Sequence, residues 1–232
     1  MAMKIDFGKY LSDRMQADLS KYKDPGPVIT LAREYGCPAK IVAKQLTDEL
    51  TKKMLVKGSE TQWKFVTKEI MVESARELEL DPARIKYVFE YQQRSLIDEV
   101  LFAQLDKYYK SDRKIRNTIA QVIRNMACEG HVVIVGRGGV AITHDIPKAL
   151  HIMLEAPLNW RSLRISEKNN ISQEEARKEC IEIDKKRQQF REYFQGKNTD
   201  YTTYDLKFNC MTLSVEEIVK IIIRAVEVRK LI

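Results

Sequence analysis

Residues 27–50 read PVITLAREYGCPAKIVAKQLTDEL, and the order of residue types in that stretch decides the fold class. The β-branched and aliphatic run PVITLA suits a strand, REYGCP carries turn residues, and IVAKQLTDEL has the spacing of an amphipathic helix. A strand that turns straight into a helix gathers backbone N–H groups and the positive end of the helix dipole around one point. That geometry holds a phosphate.

The same grammar recurs three times downstream. HVVIVGRGG follows a helix expected over about residues 112–128, ALHIMLEAP precedes LNWRSLRISEK, and DLKFNC precedes a long C-terminal helix. The runs VVIV and LHIML lack polar–apolar alternation, which fits strands buried on both faces of a parallel sheet. Ser172 with Glu175 and Ser214 with Glu217 read as capping boxes that mark two helix starts. Upstream, KKMLVKGSETQWKF reads as a polar connection and TKEIMVESARELEL as a helix. Asp81 and Pro82 suit the N-cap and first position of another helix, running to about residue 109. The expected architecture is α/β, a three-layer core on a parallel sheet with a helical insertion at 53–111. Residues 1–26, ending in KDPGP, read as a short helical arm free to pack on the body or on a second subunit.

A chain of 232 residues with 44% hydrophobic content can bury one sizeable core. Forty basic side chains against 33 acidic ones give a net charge of +7, which favours anionic partners such as nucleotides, nucleic acid or anionic lipid. The Lys and Arg residues are scattered, no RNP-like or zinc-finger signature is present, and His131, His144 and His151 lack ligand spacing. No specific nucleic-acid partner and no metal-ligating cluster are therefore expected. Cys37, Cys128, Cys180 and Cys210 form no CxxC pair, which points to a reducing interior rather than a disulfide framework. No apolar run has signal-peptide length or nears the roughly 20 residues of a membrane span, so a cytoplasmic protein without membrane contact is expected.

A Walker A loop uses glycines to wrap a phosphate, a lysine to reach the outer phosphates and a Ser or Thr to hold magnesium. In Arg33-Glu34-Tyr35-Gly36-Cys37-Pro38-Ala39-Lys40-Ile41 only Gly36 and Lys40 match in kind. Pro38 has no N–H and Ile41 no hydroxyl, so the loop taken alone is an ordinary strand-to-helix turn. Other basic residues change that weighting. Arg137 follows a buried strand in VIVGRGG, at the place where open α/β sheets carry their ligand loops. Arg161 and Arg164, three apart, share a helical face. Asp184, Arg187 and Arg191 recur at helical spacings, a stripe able to close over a phosphate while the carboxylate orients the guanidinium groups. In isolation each of these helices also reads as a solvated face.

Taken in order, these elements resemble the cytidylate kinase-like family. PVITLAREYGCPAKIVAKQL is similar to its opening ITISREYGSGGREIAKKL. Arg116 and Arg124, followed by VVIVGRGG, resemble the family's VR, QR and GRD elements. LEAPLNWRSLR resembles its strand and Arg-rich helix, IDKKRQQFREY its lid, and YDLKFNCMTLSVEEIVKII its closing strand and helix. The resemblance implies a P-loop nucleoside monophosphate kinase fold over residues 27–232, with 53–111 as the monophosphate-binding region and about 172–200 as the lid. It implies transfer of a phosphoryl group from ATP, with Mg2+, to a nucleoside monophosphate, most typically CMP or dCMP. The candidate catalytic residues are then Lys40, Asp184 and Arg187. The candidate substrate-binding residues are Gly36, Arg116, Arg137, Arg161, Arg164 and Arg191.

Four departures mark this chain. Cys37-Pro38-Ala39 replaces the loop glycines, Lys40 stands where the family carries Arg, Gly138 takes the place of the GRD carboxylate, and Cys180 that of a lid arginine. The expectation is therefore a weak kinase, with a catalytically inactive nucleotide- or protein-binding pseudo-kinase as the alternative.

Overall fold

In the computed structural model, which describes residues 25–67, 69–89, 111–195 and 203–232, the stretch VITLAR forms the middle of a sheet. Its strands are β1 (Val28–Arg33), β2 (Lys64–Val66), β3 (Val132–Val135), β4 (Ala149–Glu155) and β5 (Leu206–Asn209), in the order β2-β3-β1-β4-β5. All four pairings are parallel, with Val28 opposite both Val132 and Ala149. Parallel strands in register bring the carboxyl ends of β1, β3 and β4 to one edge, where ligand loops of such sheets lie.

The helices are α1 (Ala39–Val56), α2 (Glu69–Glu77), α3 (Pro82–Phe89), α4 (Asp112–Glu129), α5 (Gly139–Thr143), α6 (Leu158–Asn169), α7 (Gln173–Gln195) and α8 (Val215–Val228). Successive strand residues bury on opposite faces, as the period of two requires. Ile29, Leu31, Val133 and Ile152 join Val42 and Leu46 of α1 and Ile218 and Ile222 of α8 in one core. Val28, Val132 and Ile134 join Ile70 of α2, Ile85 of α3 and Ile115, Ile119 and Ile123 of α4 in the other. These are the three layers expected of an α/β core.

The capping boxes form as the sequence indicates. Glu175 N–H donates to Ser172 Oγ at 3.2 Å while Ser172 N–H donates to Glu175 at 3.0 Å. Ser214 and Glu217 make the same reciprocal pair at the start of α8.

The region upstream of α2 departs from expectation. α1 continues through Val56, and Lys64–Val66, expected as a polar connection inside a helical insertion, is a strand paired with β3. Three residues are too few to display a strand period, and Lys64 at the sheet edge is exposed. The helix beginning at Pro82 is seen to Phe89. Its expected continuation to 109 and the arm up to residue 24 lie outside the described residues. Among the described residues no helix is long and apolar enough to cross a membrane.

Candidate active site

Where β1 ends, the chain turns through Glu34 to Pro38 into α1, and one buried side chain ties that turn to two other helices. Arg161 of α6 donates from Nε to Ala156 O at 2.9 Å and from Nη1 to Tyr35 O at 3.0 Å. The same Nη1 reaches Asp184 Oδ2 on α7 at 2.7 Å, and Nε lies 3.1 Å from Glu34 Oε2. Asp184 Oδ1 in turn accepts from the Tyr35 N–H at 2.7 Å. The Arg161 side chain is 7% exposed, so its charge is compensated in place by two carboxylates. Arg161, expected to bind substrate, braces the turn from within. Gly36 is held against it: at φ +97° a Cβ there meets the Arg161 Cβ at 3.0 Å, so only glycine lets the loop lie this close.

The loop itself folds inward. The N–H groups of Cys37, Ala39 and Ile41 donate to the carbonyls of Glu34, Cys37 and Pro38 at 3.3, 2.9 and 3.0 Å. With Pro38 lacking a donor, the Gly36 and Lys40 amides, which have no backbone partner among the described residues, remain for a ligand. A hydrogen bond to the Cys210 sulfur, and then burial, raise the Cys37 thiol above its ordinary range.

Two cavities open at the carboxyl edge. The smaller, about 190 Å³, is walled by Thr30, Arg33, Glu34, the Gly136–Val140 loop, Asp184, Arg187, Phe190, Arg191 and Tyr204. The larger, about 710 Å³, is walled by residues 33–41 together with Arg164, Ile165, Glu167, Lys168 and Arg187. Arg33, Glu34 and Arg187 line both and so form the partition between them. Lys40, Arg137 and Arg187 are thus divided: Arg137 lines the smaller cavity, Lys40 the larger, and Arg187 both.

Arg187 Nη1 donates to Arg33 O at 3.1 Å, and its guanidinium lies 5.5 Å from the Tyr35 ring centroid. Arg191 Nη1 donates to the Tyr204 hydroxyl at 2.9 Å. The Nε atoms of both arginines are buried with no hydrogen-bond partner among the described residues. Unmet donors of this kind are rare unless a ligand or water completes them.

Arg164 is exposed, lines the larger cavity and stacks on Trp160 with its Cζ 4.6 Å from the ring centroid, an environment unlike that of Arg161. Arg116 lines neither cavity. It lies buried behind the Phe190 wall, its Cζ 5.6 Å from that ring centroid and 4.9 Å from the Tyr193 centroid. Arg33 and Glu34 are the partition residues that sequence reasoning passed over, although Arg33 closes β1 at the same sheet edge where Arg137 follows β3.

The loop supplies no Ser or Thr hydroxyl for magnesium among the described residues: Ile41 has no side-chain oxygen, both Asp184 carboxylate oxygens are engaged, and Glu34 Oε2 already accepts from Ala156 N–H. Among the described residues no group of three or more His, Cys, Asp or Glu side chains could hold a metal ion.

The sequence profile described as the cytidylate kinase-like family matches residues 28–212. A cytidylate kinase from Methanocaldococcus jannaschii is 28% identical over 127 residues, covering 53% of this chain and 71% of that relative. The crystal structure of an uncharacterized protein from Eubacterium ventriosum superposes with a TM-score of 0.58 at 21% identity, covering 86% of this chain and 97% of the other. A shikimate kinase structure from Bacteroides thetaiotaomicron gives 0.48 at 13% identity, over 86% and 98% of the two chains.

Proposed function

The chain belongs to the cytidylate kinase-like family and is built on a five-stranded parallel sheet, and on that premise we propose that it is a P-loop nucleoside monophosphate kinase that transfers the terminal phosphoryl group of ATP to CMP or dCMP. The observation that carries this reading is the pair of cavities meeting at a shared wall of two arginines and a carboxylate. A two-substrate phosphotransferase needs a donor chamber and an acceptor chamber that touch at one point.

In this reading ATP occupies the larger cavity, with its phosphates on the Gly36 and Lys40 amides and the Lys40 ammonium. The acceptor phosphate occupies the smaller one, against Arg137 and Arg191. An acceptor phosphate oxygen attacks the γ-phosphorus, the bond to the β–γ bridging oxygen breaks, and ADP leaves with that electron pair. The protein's task is to hold the two substrates in line and to neutralise charge on the transferring oxygens. Arg187, which reaches both chambers from α7, does the second, and α7 serves as the lid.

Arg137→Ala is expected to weaken monophosphate affinity by about 1.5 to 3 kcal/mol, the scale of a hydrogen bond to a charged group. Isothermal titration measures it, and unchanged affinity would remove Arg137 from the acceptor site.

Turnover is expected below about 1 per second, the lower end for kinases, because the loop supplies so few amides. Steady-state assays of CMP, dCMP and UMP with ATP and magnesium, run beside thermal-shift titrations of each nucleotide, test the reading. A chain neither stabilised by any nucleotide nor active on any would refute it. The inward-turned amides of Cys37, Ala39 and Ile41 favour a second reading, a nucleotide-binding pseudo-kinase. Stabilisation by CMP and ATP without turnover would select it.

A further inference from the structure

We infer that Arg33 is a phosphoryl-binding catalytic residue, a guanidinium set on the central strand that does what a complete loop's lysine would do. This rests on the nucleotide-kinase reading above. Arg33 is the last residue of β1, so its backbone is fixed by parallel pairing with β4, in register with Leu154. Its side chain crosses to the loop after β3. A Cβ placed on Gly136 would lie 1.7 Å from Arg33 Nη1, so the guanidinium fills the space that only glycine leaves there.

That position is the partition. Arg33 borders both cavities, and its own carbonyl holds Arg187 Nη1, which brings a strand arginine and a lid arginine to one place. Glu34, the carboxylate of this wall, accepts from the Ala156 amide and pairs with Arg161, while Asp184, which lines the smaller cavity alone, pairs with Arg161 and lies 3.8 Å from Arg187 Nη1. A phosphoryl group passing from one chamber to the other crosses this wall, where two forked cations can each bind two of its oxygens in a fixed plane. Lys40 cannot substitute. It stands exposed in the first turn of α1, borders the donor chamber alone, and is a mobile point charge.

The test uses the full chain and two ligands, CMP and a dinucleoside pentaphosphate that joins adenosine to cytidine and spans both chambers. Calorimetry and steady-state kinetics are run on the parent, Arg33→Met and Arg33→Lys. Charge stabilisation confined to the transition state predicts that Arg33→Met lowers kcat by about 100-fold while KM for CMP changes less than about threefold. It also predicts that binding of the spanning ligand weakens by about tenfold or more while CMP affinity stays within about twofold. Arg33→Lys keeps the charge without the fork and should fall between parent and Met variant in both readouts. If Arg33→Met loses its melting transition, the Lys variant decides, and parental kcat in it overturns the inference. Parental kcat in Arg33→Met, or CMP affinity lost in step with that of the spanning ligand, also overturns it. A parent that binds neither ligand and turns over no substrate refutes the kinase reading, and the role of Arg33 with it.

Discussion

Arg161 and Arg164 stand three residues apart on α6, yet one is sealed between Glu34 and Asp184 while the other stacks on Trp160 in solvent. Helical spacing told only that they share a side, not which of them meets the turn after β1, because that depends on strands more than a hundred residues away in sequence. Removing one partner of a buried ion pair strands the others, so Arg161→Ala should lower unfolding free energy by about 3 to 5 kcal/mol. Arg164→Ala should stay within about 0.5 kcal/mol. Urea denaturation of both variants makes the comparison, and equal effects would undo the distinction drawn between them. His151 carries a second expectation. Its Nδ1 pairs with Thr30 Oγ1 at 2.8 Å, and Nε2 is buried without a partner among the described residues. Burial lowers its pKa to about 4, with nearby His144 and Arg229 pushing the same way and Asp205 opposing. An unfolded histidine titrates near 6.5, so between pH 6.5 and 4 the unfolded chain binds a proton that the folded one refuses. Stability should be insensitive to this group above 6.5 and decline by about 2 to 3 kcal/mol as pH falls to 4. A His151→Gln variant should lose that part of the decline, and a parallel pH profile in the two proteins would exclude it. Arg33 was legible by the rule that singled out Arg137.

Helices with chemical punctuation were readable to within a residue or two. Ser214 and Glu217 close a reciprocal box, and Ser111 accepts from Lys114 N–H at the head of α4. β2 was not readable, since Lys64–Val66 becomes a strand only because β3 offers an open edge. The loop from Glu34 to Ile41 lies between these cases. Its missing donors were visible in Pro38, but the capture of the Ala39 and Ile41 amides by loop carbonyls is a matter of backbone path. Changing Pro38 and Ala39 together to glycine restores a donor and frees the path. Turnover with CMP should then rise by about tenfold or more, given what single oxyanion donors contribute. The two glycines should cost about 0.5 to 1 kcal/mol of stability each through the unfolded chain. Kinetics and urea melts on the double variant check both, and unchanged turnover would show that the loop's amides do not limit the reaction.

At the level of the whole chain, the three-layer parallel core was legible because strand-then-helix units recur and the short strands are apolar throughout. The partition between two chambers was not, since it exists only where the ends of β1 and β3 meet α7. Strand order has a further consequence, for synthesis. β1 lies in the middle of the sheet but is made first, and its neighbours β3 and β4 begin more than a hundred residues later. At about 5 to 20 residues per second, the ribosome leaves VITL with both edges unpaired for roughly 5 to 20 seconds. A fragment ending at residue 131 should therefore show no cooperative melting transition and should aggregate, whereas the full chain should melt cooperatively. Calorimetry and light scattering on the two proteins test this. In the cell such a nascent chain is a client for a chaperone that shields extended apolar segments.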